Sequence, residues 1–239
     1  MTVRLGLAGR CGLVTDARTE IGRACIQRLC EEGMTIAFTS NDRDLVKSIA
    51  AETGATAIDC DHRDRASADR AVQRAFELSG GRLDVLVTNA ALRLRAPIEA
   101  TSEAEFRELL EQNLTAPFRA ARASYELMRA QGAGSMILIA SDAGIRAVHQ
   151  TAAYSVTCAG VIAVAELFAA EGAPYGVRSN AVCPDDLASG TASAGVGGAA
   201  TAVAALAAWL ACDEASDVSG ATLRVDAARG AALVADTRG

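Results

Sequence analysis

Short apolar runs alternate with longer amphipathic segments along almost the whole chain, and this alternation limits the possible folds more than any other feature. The apolar runs are too short to be helices and are mostly bounded by Gly, Asp, Asn or Pro, which is typical of buried strands. Strands that alternate with helices form a parallel sheet with helices on both faces. The seven predicted strands are 11–15, 35–39, 55–60, 83–88, 136–140, 177–183 and 221–225.

The longer segments predict helices that carry ordinary start and stop signals. Three of them have a glycine at or just after the C-terminus, as helices often do. Ser102 and Glu105 have the spacing of a capping box, and the helix they begin should bend at Pro117. The predicted helices are 21–32, 42–53, 67–78, 102–131, 151–171 and 199–212.

The chain of 239 residues, 51% of them hydrophobic, is long enough for one α/β domain with a continuous core. We therefore expect a single Rossmann-like domain over 1–230, built as a doubly wound parallel sheet of about seven strands flanked by helices. Residues 185–198 are mostly small and polar, which predicts a loop. Residues 231–239 form a predicted C-terminal tail.

Charge and cysteine content exclude several kinds of partner. The 23 basic and 29 acidic residues give a net charge of −6 and no basic stripe, so a nucleic acid partner is not expected. Neither a signal peptide nor an apolar stretch of membrane-spanning length is recognisable, so no membrane partner is expected. The seven cysteines are scattered and contain no CxxC pair, which indicates reduced thiols, a cytoplasmic location and no metal site.

Four predicted loops carry polar residues at the carboxyl ends of strands, where doubly wound sheets bind ligands. They comprise 15–22 after the first strand, 88–91 after the fourth, 141–144 after the fifth and 184–185 after the sixth. Tyr154 lies between the fifth and sixth strands. These loops are the candidate site.

The order of these elements and several motifs resemble the short-chain dehydrogenase/reductase family over nearly the whole chain. The motifs are Asn113 in QNLTAPF, Ser141 followed 13 residues later by Tyr154, and VRSNAVCP. The resemblance implies that Asn113, Ser141 and Tyr154 are the catalytic residues. The family's fourth residue, a lysine four positions after the tyrosine, is replaced by Cys158, and a thiol neither holds a ribose nor lowers a tyrosine pKa. The chain's single lysine, Lys47, lies on the second predicted helix.

The first loop also departs from the family, whose TGxxxGxG turn receives the pyrophosphate of a nicotinamide dinucleotide. Asp16 and Glu20 replace the first two glycines, and only Gly22 remains. A carboxylate 4 Å from a phosphate costs about 4 kcal/mol at an effective dielectric constant near 20. Two other interpretations stay open: the acidic residues cap the next helix, or their side chains turn away and Arg18 neutralises the pyrophosphate.

Two more loops depart from the family in the same direction. Ala91 stands where the family's NNAG motif ends in glycine, and Asp185 stands where glycine usually follows the proline after the sixth strand. By resemblance, a bound nucleotide would contact Gly22, Asp61 and Asn89, whereas Asp16, Glu20, Ala91 and Asp185 oppose its binding. Ser40 occupies the region that usually selects NAD or NADP, so no choice between them is encoded there.

These departures favour a degenerate family member that has lost NAD(P)-dependent redox activity, binds no cofactor and serves as a non-catalytic or structural subunit. One alternative is an NAD(P)-dependent oxidoreductase with an atypical cofactor site that reduces a carbonyl, such as a 3-oxoacyl thioester or a polyketide. A second alternative is a non-redox lyase that uses Ser141 and Tyr154. The resemblance also implies a homo- or hetero-oligomer through helices 102–131 and 151–171, the latter form with an active family member.

Overall fold

In the computed structural model of the protein, the described residues are 5–61, 64, 66–89, 92–185 and 196–227, with side chains described from 199 onward in the last range. The predicted C-terminal tail and most of the predicted loop at 185–198 lie outside these ranges. The end of that loop is helical instead, because the alanine-rich run that follows favours a helix that begins at Val196.

Seven parallel strands form one sheet in the order β3-β2-β1-β4-β5-β6-β7, so the predicted doubly wound architecture is confirmed. The order reverses between β1 and β4, which opens a crevice at the carboxyl ends of these two strands. The strands are β1 (Cys11–Val14), β2 (Thr35–Thr39), β3 (Thr56–Ile58), β4 (Val85–Thr88), β5 (Gly134–Ile139), β6 (Val177–Pro184) and β7 (Thr222–Val225).

Within the described ranges, seven α-helices cover the sheet: α1 (Glu20–Glu31), α2 (Arg43–Thr53), α3 (Ser67–Leu78), α4 (Glu103–Leu110), α5 (Ala116–Gln131), α6 (Ala152–Gly172) and α7 (Val196–Ala211). The predicted helix 102–131 is two helices, α4 and α5, joined by a wider π-helical turn at Glu111–Thr115. Pro117 has no N–H to donate to the carbonyl of Asn113, which disfavours a regular α-turn there.

Both faces of the sheet are buried. On β1, Val14 belongs to a core cluster shared with α1 and α7, whereas its neighbour Leu13 belongs to a second cluster shared with α3, α5 and α6. On β4, Val87 belongs to the first of these clusters and Leu86 to the second. Alternation between two apolar faces explains why the strands read as continuous apolar runs.

Helix α6 and the turn after it, Ala152–Tyr175, are long and apolar enough to pass a composition test for a membrane span. The helix packs against β5 and β6, and its buried residues include Val161, Ala165 and Phe168. A central helix of a folded core has the same composition, and these contacts identify α6 as such a helix.

Candidate active site

The turn between β1 and α1 is closed by Thr19, which is the N-cap of α1. Its hydroxyl accepts a hydrogen bond from the Gly22 N–H at 2.9 Å. Glu20 is exposed in the first helical turn, where a negative charge is favourable. The interpretation that Asp16 caps the same helix is wrong, because Asp16 precedes the cap and its side chain bonds elsewhere.

Asp16 adopts the left-handed conformation, with φ 56°, which explains why the family has glycine at this position. Its carboxylate is almost fully buried and forms a bidentate ion pair with Arg18, at 2.7 Å to Nε and 2.9 Å to Nη2. The hydrogen bond and the charge of Asp16 raise the pKa of Arg18, so the guanidinium stays protonated. The negative charge that was expected to repel a phosphate is therefore paired within the turn.

Side chains at the end of β4 lock the same turn in place. The Asn89 N–H donates to Thr15 Oγ1 at 3.0 Å, and the Asn89 amide group donates to the Thr19 hydroxyl. Gly22 lies so close to this turn that a Cβ atom there would be 2.5 Å from the Asp16 carbonyl oxygen. The structure thus brings together Asp16, Gly22 and Asn89 at the crevice, three of the predicted positions.

A cavity of about 280 Å³ opens at the carboxyl ends of β1, β2 and β4. One wall is the β1–α1 turn, and the opposite wall is the first half of α5 with the residues that precede it. The lining residues are Thr15, Asp16, Arg18, Thr19, Thr39, Cys60, Ala68, Asn89, Leu92, Gln112, Ala116, Pro117 and Ala120.

The structure assigns no contact at this cavity to two other predicted positions, Asp61 and Ala91. Asp61 is exposed beyond β3, and its charge acts on Arg18 in the same direction as that of Asp16. Ala91 lies outside the described residues. The predicted contact of Asp61 with an adenine stays a prediction.

The turn after β5 brings Ser141 towards the helix that carries Tyr154. Ser141 is fully buried, and its Oγ accepts a hydrogen bond from the Ala143 N–H at 3.1 Å. The next residue, Gly144, lies directly against α6, where an added Cβ would be 2.9 Å from the Cβ of Cys158. Tyr154 is one helical turn before Cys158, and both belong to a small apolar cluster that also contains Ala143.

Asn113, the third predicted catalytic residue, lies in the π-helical turn between α4 and α5. Its buried amide group bonds to both backbone groups of Leu92, donating from Nδ2 to the carbonyl at 2.7 Å and accepting at Oδ1 from the N–H at 3.2 Å. Leu92 lines the cavity. In this structure Asn113 holds the loop after β4 against the helix, and π-helical turns often mark functional positions.

An ion-pair network joins the ends of β5, β6 and β7, and sequence reasoning missed it. Asp142 pairs with Arg146 and, at 2.8 Å, with Arg224, which also pairs with Asp226 at 2.8 Å. Asp185 has its carboxylate 4.0 Å from Arg146. Its charge is therefore partly compensated, contrary to the expectation of an isolated negative charge beside the cofactor. The signal available in the sequence was the spacing of Asp142 and Arg146, four residues apart on one turn.

All seven cysteines are free in the structure. Burial raises the pKa of Cys25 to about 12, so this thiol is inert at neutral pH. No group of three or more potential metal ligands occurs within the part of the chain that the structure describes.

A family model for the short chain dehydrogenases matches residues 10–195. The chain belongs to the short-chain dehydrogenase family. This matches the resemblance that the motifs indicated, and the seven-stranded sheet has the fold of the family's solved structures.

Relatives of the chain are named reductases and dehydrogenases. The 3-oxoacyl-acyl-carrier-protein reductase MabA of Mycobacterium tuberculosis is 31% identical over 233 residues, which cover 91% of this chain and 92% of that protein. The D-threitol dehydrogenase of Mycolicibacterium smegmatis is 32% identical and covers 74% of this chain and 70% of its own length. The solved structure of an NAD⁺-bound xylitol dehydrogenase has a TM-score of 0.81 at 25% identity and covers 92% of this chain and 98% of its own.

These relatives overturn the hypothesis of a non-catalytic subunit that binds no cofactor. Proteins that align with nearly the full length of this chain are named for redox reactions, and one solved relative holds NAD⁺. The hypothesis treated Asp16 and Asp185 as uncompensated charges, whereas the structure pairs Asp16 with Arg18 and puts Arg146 near Asp185. Both the expected loss of activity and the expected absence of a cofactor were wrong.

Proposed function

We propose that the protein is an NAD(P)-dependent oxidoreductase that reduces a carbonyl group. The observation that carries this proposal is the packing of the Ser141 turn on α6, through Gly144 and Cys158, in the same cluster as Tyr154. A hydroxyl and a phenol anchored to adjoining elements form a donor pair for a carbonyl oxygen. The names of the relatives support redox chemistry over the lyase alternative.

The residues at the crevice fit a dinucleotide. Gly22 lets the start of α1 approach the turn closely, the cavity opens at the strand-order reversal, and the Asp16–Arg18 pair removes the net charge that would repel a phosphate. Thr15, Arg18, Thr19 and Asn89 line this cavity and would hold the cofactor. Bound there, the nicotinamide supplies the hydride for the reduction.

The two hydroxyl groups of the chain would perform the proton chemistry. The Ser141 Oγ is fixed by the Ala143 N–H and would donate its hydrogen to the carbonyl oxygen of the substrate. The Tyr154 phenol would give its proton from Oη to the same oxygen as negative charge develops on it. Burial of both residues excludes water and strengthens these interactions.

Cys158 leaves the Tyr154 phenol without the lysine neighbour that the family has at this position. A phenol without an ammonium neighbour stays protonated at neutral pH, and reduction needs a proton donor. With an ordinary pKa such a phenol is a weak acid and transfers its proton slowly at neutral pH, so turnover should be modest. We propose 3-oxoacyl thioesters and polyketides as the substrates, because the relative that aligns with 91% of this chain is named a 3-oxoacyl reductase.

Replacing Cys158 with lysine should raise turnover with NADPH or NADH about tenfold or more. Position 158 is one helical turn after Tyr154, so the new ammonium group would lie beside the phenol and stabilise its deprotonated form. Oxidation of the cofactor would be followed with a 3-oxoacyl thioester, a diketone and a simple ketone as substrates.

Cys158→Met is the matched control, because it lengthens the same side chain without adding charge. It should stay near the turnover of the wild type. If neither the wild type nor Cys158→Lys consumed NADH or NADPH with any of the three carbonyl compounds, the proposed function would be wrong.

We also propose that the protein forms a homo-oligomer through α5 and α6. Along one face of α6 the residues Val156, Ala159, Ala163, Leu167 and Ala170 are all exposed and apolar, three or four positions apart. Half of the Val156 surface and 61% of that of Leu167 are accessible, and Phe118 of α5 is 41% exposed. The two helices contact each other within the subunit. A continuous apolar stripe of this kind supports burial against a second copy.

Two small residues of α6 pack within the subunit itself. Ala153 is buried, and a Cβ on Gly160 would be 2.8 Å from the Leu114 side chain of the same chain. Ala159 and Ala163 keep the outer face of α6 flat, which suits the close approach of a second helix.

Leu167→Glu should convert the oligomer into a monomer, because it would bury a charge at the centre of the stripe. The mass in solution would be measured by light scattering after gel filtration. Leu78→Glu changes another exposed leucine on α3, away from the stripe, and should leave the mass unchanged. A monomeric wild type would contradict the proposal.

We assign the protein to the cytoplasm, which its seven free thiols support.

A further inference from the structure

Several backbone N–H groups of the turn between β1 and α1 already have protein partners. The N–H of Asp16 donates to Thr39 Oγ1 at 2.9 Å, and that of Ala17 donates to the Thr39 carbonyl at 3.0 Å. The N–H of Arg18 donates to the Asp16 carboxylate at 3.3 Å. Three consecutive amides of the turn are thus engaged, and an anion that enters the cavity must find other donors.

Arg18 is the one cationic side chain among the described residues that line the cavity. Asp16 takes two of its five N–H groups, at Nε and Nη2, and the other three are not used by this pair. The Arg18 side chain is 43% exposed, whereas the Asp16 carboxylate is 4% exposed. The buried partner is therefore a fixed anchor, and the guanidinium remains accessible from the cavity.

We propose that the Asp16–Arg18 ion pair is the phosphate receptor of this protein, in which Asp16 orients Arg18 and Arg18 both neutralises Asp16 and binds a phosphate group of the nucleotide. This deepens the proposed function and rests on it. A glycine turn would offer its backbone amides to the phosphate. This turn instead offers the Arg18 guanidinium, which Asp16 holds in place and which is suited to bidentate phosphate binding.

The pair has a consequence that an ordinary surface arginine lacks. Arg18→Ala removes the phosphate ligand and also uncovers a buried carboxylate beside the phosphate. We expect nucleotide affinity to fall about a hundredfold or more, because the unpaired Asp16 carboxylate and the phosphate would repel each other at short range. In Asp16→Asn/Arg18→Ala the uncovered group is neutral, and asparagine tolerates a positive φ. The double variant still lacks the phosphate ligand but no longer repels the phosphate, so it should bind about tenfold more tightly than Arg18→Ala alone and more weakly than Arg18→Lys.

The experiment is a calorimetric titration of NADH and NADPH into the four proteins of this cycle: wild type, Asp16→Asn, Arg18→Ala and the double variant. Arg23→Ala is the control, because Arg23 is exposed on α1 and does not line the cavity. It should change affinity less than about twofold. Arg18→Lys keeps the charge but loses the bidentate geometry, and it should weaken binding about tenfold. This variant tests the receptor if Arg18→Ala does not fold.

The two nucleotides distinguish the possible sources of the phosphate. If Arg18 binds the pyrophosphate, Arg18→Ala weakens NADH and NADPH equally, and if it binds a 2′-phosphate, only NADPH is weakened. Either result supports the receptor. It is overturned if Arg18→Ala and Arg18→Lys bind both nucleotides as well as Arg23→Ala does, or if the double variant binds no better than Arg18→Ala.

Turnover separates this inference from the proposed function. A wild type that binds nucleotide in an Arg18-dependent way but reduces no carbonyl compound would leave the receptor standing and remove the proposed activity. If the wild type reduces a carbonyl compound while the Arg18 variants keep full nucleotide affinity, the proposed activity stands and the receptor is overturned. A wild type that binds neither NADH nor NADPH would overturn both.

Discussion

Tyr154→Phe should reduce carbonyl turnover by about a hundredfold to a thousandfold while leaving the fold and nucleotide affinity intact. The substitution removes one oxygen, the atom that would deliver the proton to the substrate. Tyr154 is buried in an apolar cluster with Leu109, Ala153 and Cys158, so a phenylalanine ring fits the same space. The measurement is kcat with NADPH or NADH and the best carbonyl substrate, together with a titration of the nucleotide.

Tyr125→Phe is the matched control for this prediction. Tyr125 is also buried, and its hydroxyl donates to the Glu171 carbonyl at 3.1 Å, in the core and away from the candidate site. Its loss should cost about 1 kcal/mol of stability and leave turnover unchanged. Equal turnover in Tyr154→Phe and Tyr125→Phe would show that Tyr154 is not the proton donor. Ser141→Ala should fall between the two, because it removes one hydrogen bond to the substrate oxygen but not the proton.

The fold could be predicted from the sequence because its signals are local and repeated. Apolar runs of strand length and helices with capping residues alternate along the chain, and each predicted strand overlaps an observed one. The predicted helix 67–78 has the observed boundaries. The largest disagreement is the division of 102–131 into two helices at Glu111–Thr115. Pro117 predicts an interruption near this point, but residue types do not specify that it takes the form of a π-helical turn.

The candidate site was less predictable, because its electrostatics depend on which side chains meet. The sequence gives the identities of Asp16 and Arg18, but only the left-handed turn at Asp16 and its buried carboxylate make them a pair. Arg224 reaches Asp142 from another strand, a contact between residues far apart in the chain. The position of a carboxylate in a family motif does not show whether it is paired, so the predicted repulsion of a phosphate was too strong. Paired carboxylates repel an anion far less than free ones.

The replacement of the family's lysine by Cys158 is visible in the sequence, but the consequence predicted from it, loss of the reaction, is wrong. The structure places this thiol against Gly144 and one turn from Tyr154, so the turn after β5 and α6 still meet closely. The close packing of this turn on α6 therefore does not require the lysine. What the lysine would add is a cation beside the phenol, which would lower the phenol pKa towards neutral pH and make it a better general acid.

Gly22→Ala should destroy the nucleotide site and destabilise the fold together. A Cβ at this position would be 2.5 Å from the Asp16 carbonyl oxygen, 3.1 Å from Thr19 Oγ1 and 3.2 Å from Asn89 Nδ2. The nearest of these atoms belongs to the backbone, so no side-chain rotation relieves the contact. The turn must move away from α1, which displaces Asp16 with its bound Arg18. We expect a loss of about 1–3 kcal/mol in stability and about a hundredfold in nucleotide affinity.

Gly54→Ala separates the effect of this contact from the general cost of replacing a glycine. Gly54 ends α2 with φ 73°, and an added Cβ there has no other atom within 4 Å. Its replacement should cost about 1 kcal/mol through backbone strain and should leave nucleotide affinity unchanged. Thermal unfolding and calorimetric titration of both variants make the comparison. If Gly22→Ala lost stability but bound NADH and NADPH as tightly as Gly54→Ala, the cofactor would not use the β1–α1 turn, and the site would have to lie elsewhere along the carboxyl edge of the sheet.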